Sequence, residues 1–127
     1  MTTLSVDNSA GTAKDIRNDV TNWQLSTPRA VQDVTGVDKS AMERILLLAD
    51  VSLTLSGVFN AATDKSHDVL KTVPSTSVNR TVSLGVNGVS LAPEMLFTDY
   101  QLTRADSGEL TWSAPGVLAD GTVPTWT

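Results

Sequence analysis

The chain has 127 residues, a mass of 13.5 kDa, a formal net charge of −5 and a sequence pI near 4.6. This length suits one domain, and 40% hydrophobic with 18% charged residues is too apolar a composition for a disordered chain. The acidic balance excludes nucleic-acid binding through phosphate counterion release, and the lack of cysteine excludes disulfides, zinc ribbons, iron–sulfur sites and thiol nucleophiles. Seventeen Thr, fifteen Val and thirteen Ser favour pleated strands with one wet face.

The N-terminal part of the sequence predicts an arm rather than a core element. Residues 1–14 are rich in Ser, Thr, Ala and Gly, so we predict a flexible N-terminal arm before a single domain over 15–127 that finishes in an extended C-terminal end. The first fifteen residues have no basic start and no apolar run, so we expect no secretory signal. The longest apolar run, Ile45 to Ala49, is too short for a membrane span, so we expect a soluble protein with no membrane partner.

Between residues 15 and 49 the patterns are ambiguous. Apolar residues over 15–25 have a helix-like spacing, but poor helix formers fill the gaps, so we predict an irregular strand there. Residues 31–36 predict a short strand. Ser40 to Glu43 form a capping box at the start of the run to Ala49, which locally favours a helix of about two turns.

The second half of the chain carries clearer signals. Apolar and polar residues alternate over 51–59 and again over 78–86, which predicts two strands. Between them, residues 60–73 predict a short helix that Thr63 or Asp64 caps and that ends before Pro74.

Two turns follow these elements. Asn87-Gly88 predicts a two-residue hairpin, because both central positions of that turn need positive φ. A second hairpin is predicted from residues 95–104 and 109–114 across 105–108. The elements together predict a mainly β, two-sheet β-sandwich or barrel with one short flanking α-helix.

Candidate chemistry is sparse. Asp64, His67 and Asp68 form the one cluster that resembles a metal site, but a turn offering two ligands is weak, and both carboxylates are also expected at the helix start. The sequence has no nucleophile elbow and no phosphate-binding glycine loop. We therefore predict no enzyme, and we assign no catalytic, cofactor-binding or metal residues. Trp112 is expected in the core, whereas Trp126 is expected to dock on another surface.

Five segments occur in a fixed order: DIRNDVTNW (15–23), DVTGVDKSA (33–41), ADVSLTLSGVFN (49–60), GELTWS (108–113) and DGTVPTW (120–126). In this order they resemble the major tail tube proteins of long-tailed (siphovirus-type) bacteriophages. Each segment is weakly specific, and their order and spacing carry the resemblance.

The resemblance implies a structural virion protein that self-assembles into stacked, hexameric rings and so forms the tail tube, the conduit for DNA delivery. It implies contacts with other copies and with tail terminator, tape measure and distal tail proteins, in the virion and in the host cytoplasm during assembly. It also implies that residues 28–45 form a long loop to the neighbouring ring, against the helix predicted at Ser40. Genomic DNA would pass without specific binding, along a lining that the net charge suggests is acidic.

One further expectation and the alternative functions stay open at this point. The chain ends, 1–14 and 115–127, are expected to become ordered only when rings stack. The alternative functions are a phage tail terminator or head decoration protein, which would form a single ring or cap, and a non-catalytic carbohydrate-binding β-sandwich.

Overall fold

The computed structural model describes residues 3–127, and the fold is mainly β with a short helix. The strands within that range are β1 (Thr3–Asp7), β2 (Ala13–Asp15), β3 (Val20–Ser26), β4 (Arg29–Asp33), β5 (Arg44–Ala49), β6 (Ser52–Val58), β7 (Arg80–Val86), β8 (Val89–Leu91), β9 (Glu94–Phe97), β10 (Gln101–Arg104) and β11 (Leu110–Leu118). Helix α1 spans Ser66–Leu70, and a 3₁₀ turn spans Arg17–Asp19. No helix within residues 3–127 is long and apolar enough to cross a bilayer.

The strands form a large antiparallel sheet that folds around the core. Its order is β2-β1-β7-β9-β11-β6-β3, with β8 paired to β7 and β10 paired to β11, while β4 and β5 form a separate two-stranded sheet. Leu4 and Val82 from one half of the large sheet share a core with Leu55 and Trp112 from the other half. The predicted fold class, mainly β with one short flanking helix, is confirmed.

The N-terminal segment belongs to this core, which corrects the predicted arm. β1 pairs with β7, and Leu4 and Val6 are fully buried. β2 then pairs with the other edge of β1. The residues that composition alone predicted to be flexible therefore form paired strands. The prediction failed because alternate apolar residues in a short polar segment can fill one sheet face. Residues 1 and 2 of the predicted arm lie outside the described range.

The alternating segments form strands as predicted. β6 buries Leu53 and Leu55 while Ser52, Thr54 and Ser56 face away from the core. The 15–25 segment contains the 3₁₀ turn and then β3, which bulges between Val20 and Asn22, in agreement with the predicted irregular strand.

Both predicted hairpin turns are present. Asn87 and Gly88 have φ of 49° and 88° between β7 and β8, and Gly108 has φ of 93° between β10 and β11. The segment predicted as one strand over 95–104 is divided into β9 and β10, which pair with different parts of β11.

The helix predicted within residues 60–73 is present but short, and it spans only Ser66–Leu70. Lys65, not Thr63 or Asp64, occupies its N-cap position, and no side chain caps it.

The predicted helix at Ser40 is wrong, since residues 44–49 are strand β5. Glu43 explains the outcome: its backbone N–H donates to Thr35 Oγ1 at 2.7 Å, and its carbonyl accepts from the Val34 N–H at 2.9 Å. These backbone groups are therefore used in a hairpin and are not available for a helical turn. Pairing with β4 overrides a capping signal whose helix would be too short to be stable by itself.

Candidate assembly surfaces

The β4–β5 hairpin carries the most prominent apolar surface of the described chain. Val31 pairs with Leu46 on one side, and Gln32 pairs with Ile45 on the other, so both faces of the hairpin present apolar groups. Leu48 is 93% exposed and Val37, in the connecting loop, is fully exposed. The exposed large apolar residues of this region, which we call the apolar hairpin, are Val31, Val34, Val37, Met42, Ile45, Leu46, Leu47 and Leu48.

Polar contacts hold the apolar hairpin in shape. The Arg29 guanidinium donates twice to the Leu47 carbonyl oxygen, at 2.9 and 2.8 Å, which ties the base of the two strands. Thr35 Oγ1 also donates to the Glu43 carbonyl oxygen at 3.1 Å. The Thr35 N–H donates to Asp33 Oδ1 at 2.9 Å, and the hydrogen bonds from Thr35 lower the pKa of that carboxyl. A two-stranded ribbon is marginally stable alone, so these bonds fix the shape while leaving the apolar side chains available.

A groove of 690 Å³ lies at the base of the apolar hairpin, between β5 and the C-terminal segment. Leu46, Leu48, Leu91, Val123 and Trp126 contribute apolar walls. Trp126 is 51% exposed, so its ring is available to another surface, and its docking on one stays a prediction. The groove and the apolar hairpin are continuous, because Leu46 and Leu48 belong to both.

The C-terminal segment is paired within the subunit, against the expectation that it becomes ordered only on stacking. β11 runs to Leu118 inside the large sheet. The backbone of Thr127 then exchanges two hydrogen bonds with Ser90 of β8, each 3.0 Å, and their hydroxyls lie 2.8 Å apart. This contact occupies part of the outer edge of β8.

A four-stranded part of the large sheet, in the order β10-β11-β6-β3, has two open edges. Among residues 3–127, β10 pairs with β11 and β3 pairs with β6, and neither has a second strand neighbour. Exposed edges with unpaired N–H and C=O groups are templates for a further strand. This part of the sheet therefore offers two sites for pairing with another chain.

The side of this sheet that faces away from the core is uncharged and mostly polar. The registers align Gln101, Ser113, Ser56 and Asn22 side by side across the four strands. None of these four side chains is buried, whereas Trp112, the residue before Ser113 on β11, faces the opposite side and is buried. We call this surface the neutral face; its members are Asn22, Gln24, Ser26, Ser52, Thr54, Ser56, Val58, Gln101, Thr103, Thr111, Ser113, Pro115 and Val117.

The candidate metal residues are not assembled into a ligand set. His67 Nδ1 lies 3.1 Å from Tyr100 Oη, and its ring contacts Phe59 in a tilted arrangement, with a centroid distance of 4.7 Å and an interplanar angle of 45°. Asp68 pairs with Lys71 at 2.9 Å and accepts from the Asp64 N–H at 3.0 Å. The part of the chain that the structure describes holds no group of three or more His, Cys, Asp or Glu suited to a metal.

The ring contacts of His67 instead attach helix α1 to the sheet. The Tyr100 ring lies between His67 and Trp112, with centroid distances of 6.0 and 6.2 Å. Burial raises the pKa of Tyr100, and the hydrogen bond from Lys71 lowers the pKa of Asp68. The Trp112 ring N–H donates to the Val58 carbonyl oxygen at 2.9 Å, so this Trp is a core residue as predicted.

Two buried charged residues were missed by sequence reasoning. The Arg80 guanidinium donates to the carbonyl oxygens of Asp7 and Val69, at 3.0 and 2.8 Å, and to Thr72 Oγ1 at 2.9 Å. Burial lowers its pKa, and the charge of Asp7 opposes that effect. Arg80 thereby connects β1, β7 and α1, and its one signal in the sequence is its phase, because it shares the inward side of the alternation over 78–86 with Val82 and Leu84.

Asp19 is the second buried charged residue. Its carboxylate accepts from Asn60 Nδ2 at 3.1 Å and from the Ser66 N–H at 3.0 Å, at the start of α1. It thus replaces the missing side-chain cap of α1 from 47 residues away. Arg80 and Asp19 both act as structural ties, and neither lies on the apolar hairpin or the neutral face.

Comparison with known proteins identifies the fold. Over 98% of its length the chain superposes on a chain from the tail of an empty gene transfer agent particle with C6 symmetry, with a TM-score of 0.73, 17% sequence identity and 94% of that chain covered. The chain shares its fold with a tail protein. A chain from the virion of a native gene transfer agent particle is also similar, with a TM-score of 0.71, 16% identity, and coverage of 98% of this chain and 95% of that one. No protein-family model and no curated protein matches the sequence.

Proposed function

We propose that this chain is a structural tail protein that assembles with copies of itself into stacked rings, forming the tail tube through which a phage-like particle delivers DNA. The observation that carries the proposal is the apolar hairpin, whose leucines stay in water in the isolated subunit. Burying one such side chain contributes about 1.5–3 kcal/mol, so a surface with several of them favours association strongly. The tail-protein fold supports a virion location.

Ring formation would use the edges of the four-stranded sheet. β10 of one subunit would pair with β3 of the next, which is a heterologous contact that closes when the rotation between subunits divides a full turn. The C6 symmetry of the similar tail supports six subunits in each ring.

Stacking of rings would use the apolar hairpin and the groove. The hairpin of one subunit would contact a subunit of the neighbouring ring, as the resemblance implies for residues 28–45. The groove at the hairpin base, with Trp126, continues the same apolar surface and would be covered in the same contact. In the virion, tail terminator, tape measure and distal tail proteins would meet the ends and the inside of this tube. Assembly would take place in the host cytoplasm.

Negative-stain electron microscopy of the purified protein at low and high concentration tests the proposal. Long hollow tubes of uniform diameter support it. Discrete rings that never stack would instead favour a tail terminator or cap. A protein that stays monomeric at every concentration, even when tail initiation proteins are added, would contradict the proposal and favour a binding module.

A charged substitution on the apolar hairpin sharpens this test. Leu48→Asp should abolish stacking while leaving the subunit folded, because Leu48 contacts water in the free subunit. Val89→Asp is the matched control, since Val89 is an exposed apolar residue outside the hairpin, at 47% exposure. Tubes from both variants would argue against the hairpin as the stacking contact.

A further inference from the structure

We propose that the neutral face lines the channel of the assembled tube, so that the middle of the channel wall in each ring carries no charge. This inference rests on the proposed function and departs from the acidic lining that the net charge suggested. The inference concerns the surface along which DNA, with its negatively charged phosphates, would move.

The strand registers place the neutral face on one continuous side of the sheet. Ser56 lies between Ser113 and Asn22 on the neighbouring strands, and the next row places Thr54 between Pro115 and Gln24. Alternation along β6 and β11 sends intervening residues such as Leu55 and Trp112 into the core, whereas the intervening residues of β10 lie on the same side and stay exposed. The thirteen positions of the face contain none of the chain's nine basic and fourteen acidic residues.

Charges begin where the four strands end. Asp99 precedes β10 and accepts a hydrogen bond from the Gln101 side-chain amide at 2.8 Å. Glu109 directly precedes β11, and its carbonyl oxygen accepts from the Ala105 N–H in the turn. Arg104 is on β10, but its register partner is Leu110, one residue out of phase with the neutral positions Thr103 and Thr111. The neutral face is thus uncharged, and the carboxylates of Asp99 and Glu109 lie next to the ends of its strands.

The covering of the opposite side decides which side points to the channel. Leu53, Leu55 and Ala114 on that side are packed under the other half of the same subunit. If copies join through the edges of β10 and β3, the strands of all copies form one closed sheet around an axis. Its inner surface must be the side that no part of the subunit covers, which is the neutral face.

An uncharged wall has a physical consequence for DNA. Lysine or arginine side chains would hold phosphates with an affinity that depends steeply on salt, and a dense acidic wall would repel them over about 10 Å at 0.1 M salt. Hydroxyl and amide groups keep their own water and exert neither force. Duplex DNA would therefore pass a belt that neither retains nor expels it, at low and at high ionic strength.

Single cysteines locate the face, because the natural chain has none. In assembled tubes, Ser113→Cys and Ser56→Cys should react with a small maleimide and lose reaction with a maleimide on a polymer too wide for the channel. Ser77→Cys, at an exposed loop position outside the sheet, should react with both reagents. Equal reaction of Ser113→Cys with the wide reagent in intact tubes would overturn the inference while leaving the tube itself established.

Adding positive charge to the neutral face tests the consequence. Tubes assembled with short linear duplex DNA should protect no DNA from nuclease when wild type, whereas S56K/S113K tubes should protect DNA at low salt and lose it as salt rises. The matched control is A10K/S77K, which adds the same charge at exposed turn and loop positions. Salt-dependent protection of DNA by wild-type tubes would overturn the inference that the neutral face lines the channel. A failure of the wild type to form any tube would count against the proposed function itself.

Discussion

β5 and β6 follow each other in the chain, and they have opposite relations to water. β6 alternates, so Leu53 and Leu55 enter the core while hydroxyls face outward. β5 is a continuous apolar run, Ile45 to Ala49, and it remains largely exposed. The subunit thus uses one strand for its own core and leaves the other for contacts that the isolated chain does not make. The experiments below test this difference, beginning with the largest expected effect.

Truncating one leucine in each strand to alanine should show the difference between β5 and β6 most clearly, as a difference in the free energy of unfolding. Leu55→Ala should lower the free energy of unfolding by about 2–5 kcal/mol, because it opens a cavity among fully buried neighbours. Leu48→Ala should change it by less than about 0.5 kcal/mol, as is usual for exposed positions. Urea denaturation of the unassembled subunits measures both values. Similar losses for the two variants would show that β5 contributes to the subunit core.

A glycine on β6 provides a second comparison within the large sheet. A Cβ on Gly57 would overlap the backbone carbonyl of Asp19, so Gly57→Ala should cost about 1–3 kcal/mol through displacement of the 3₁₀ turn. Gly116→Ala is the matched control, because its Cβ would meet the Phe97 ring at 3.3 Å, where a side chain can adjust. Thermal unfolding should therefore separate the two variants, with Gly57→Ala the lower. An unchanged thermal unfolding midpoint for Gly57→Ala would show that the close contact between residue 57 and the Asp19 carbonyl does not limit the residue type.

A change inside the apolar hairpin should have a local effect. Thr35→Val removes the hydroxyl that bonds both backbone groups of Glu43, which should weaken the hairpin by about 1 kcal/mol. Amide hydrogen exchange should quicken at Glu43 and Val34, while the amides of β6 and the global unfolding midpoint stay the same. Faster exchange throughout β6 would mean that hairpin and core unfold together.

The smallest expected effect is a pH dependence at helix α1. The hydrogen bond from Lys71 lowers the pKa of Asp68 below its ordinary value of 3.8 in the folded protein. The stabilisation from this carboxylate is therefore complete above that ordinary value, and it is lost as pH falls through the lower folded pKa. Asp68→Asn should melt slightly below wild type at neutral pH, and the two melting curves should converge in acid. A difference in melting temperature that persists at the lowest pH would show that Asp68→Asn acts through packing and not through the carboxylate charge.

Local sequence predicted those elements in which local preference and tertiary packing agree. Alternation in β6 and β7 fixed both their period and the face that they bury. The Asn87-Gly88 turn was predicted because positive φ at both positions is a property of the dipeptide itself. The core position of Trp112 followed from the same alternation.

Other features depended on residues far apart in the chain. Residues 40–49 became a strand because Thr35 and β4 use their backbone groups, and the N-terminal segment entered the core because β7 offered it an edge. Arg80 and Asp19 gained their roles from partners up to 73 residues away.

The candidate surfaces divide in the same way. The apolar run of β5 is visible in the sequence, but its exposure is decided only by the absence of a covering layer over the hairpin in the described subunit. The uncharged residues of the neutral face are scattered over four segments of the sequence, and only the strand registers bring them to one side. Local chain energetics therefore determined β6, β7, the Asn87-Gly88 turn and the core position of Trp112. The strand β5, the N-terminal core strand and the surfaces available for assembly were decided by long-range pairing, which no local pattern encodes.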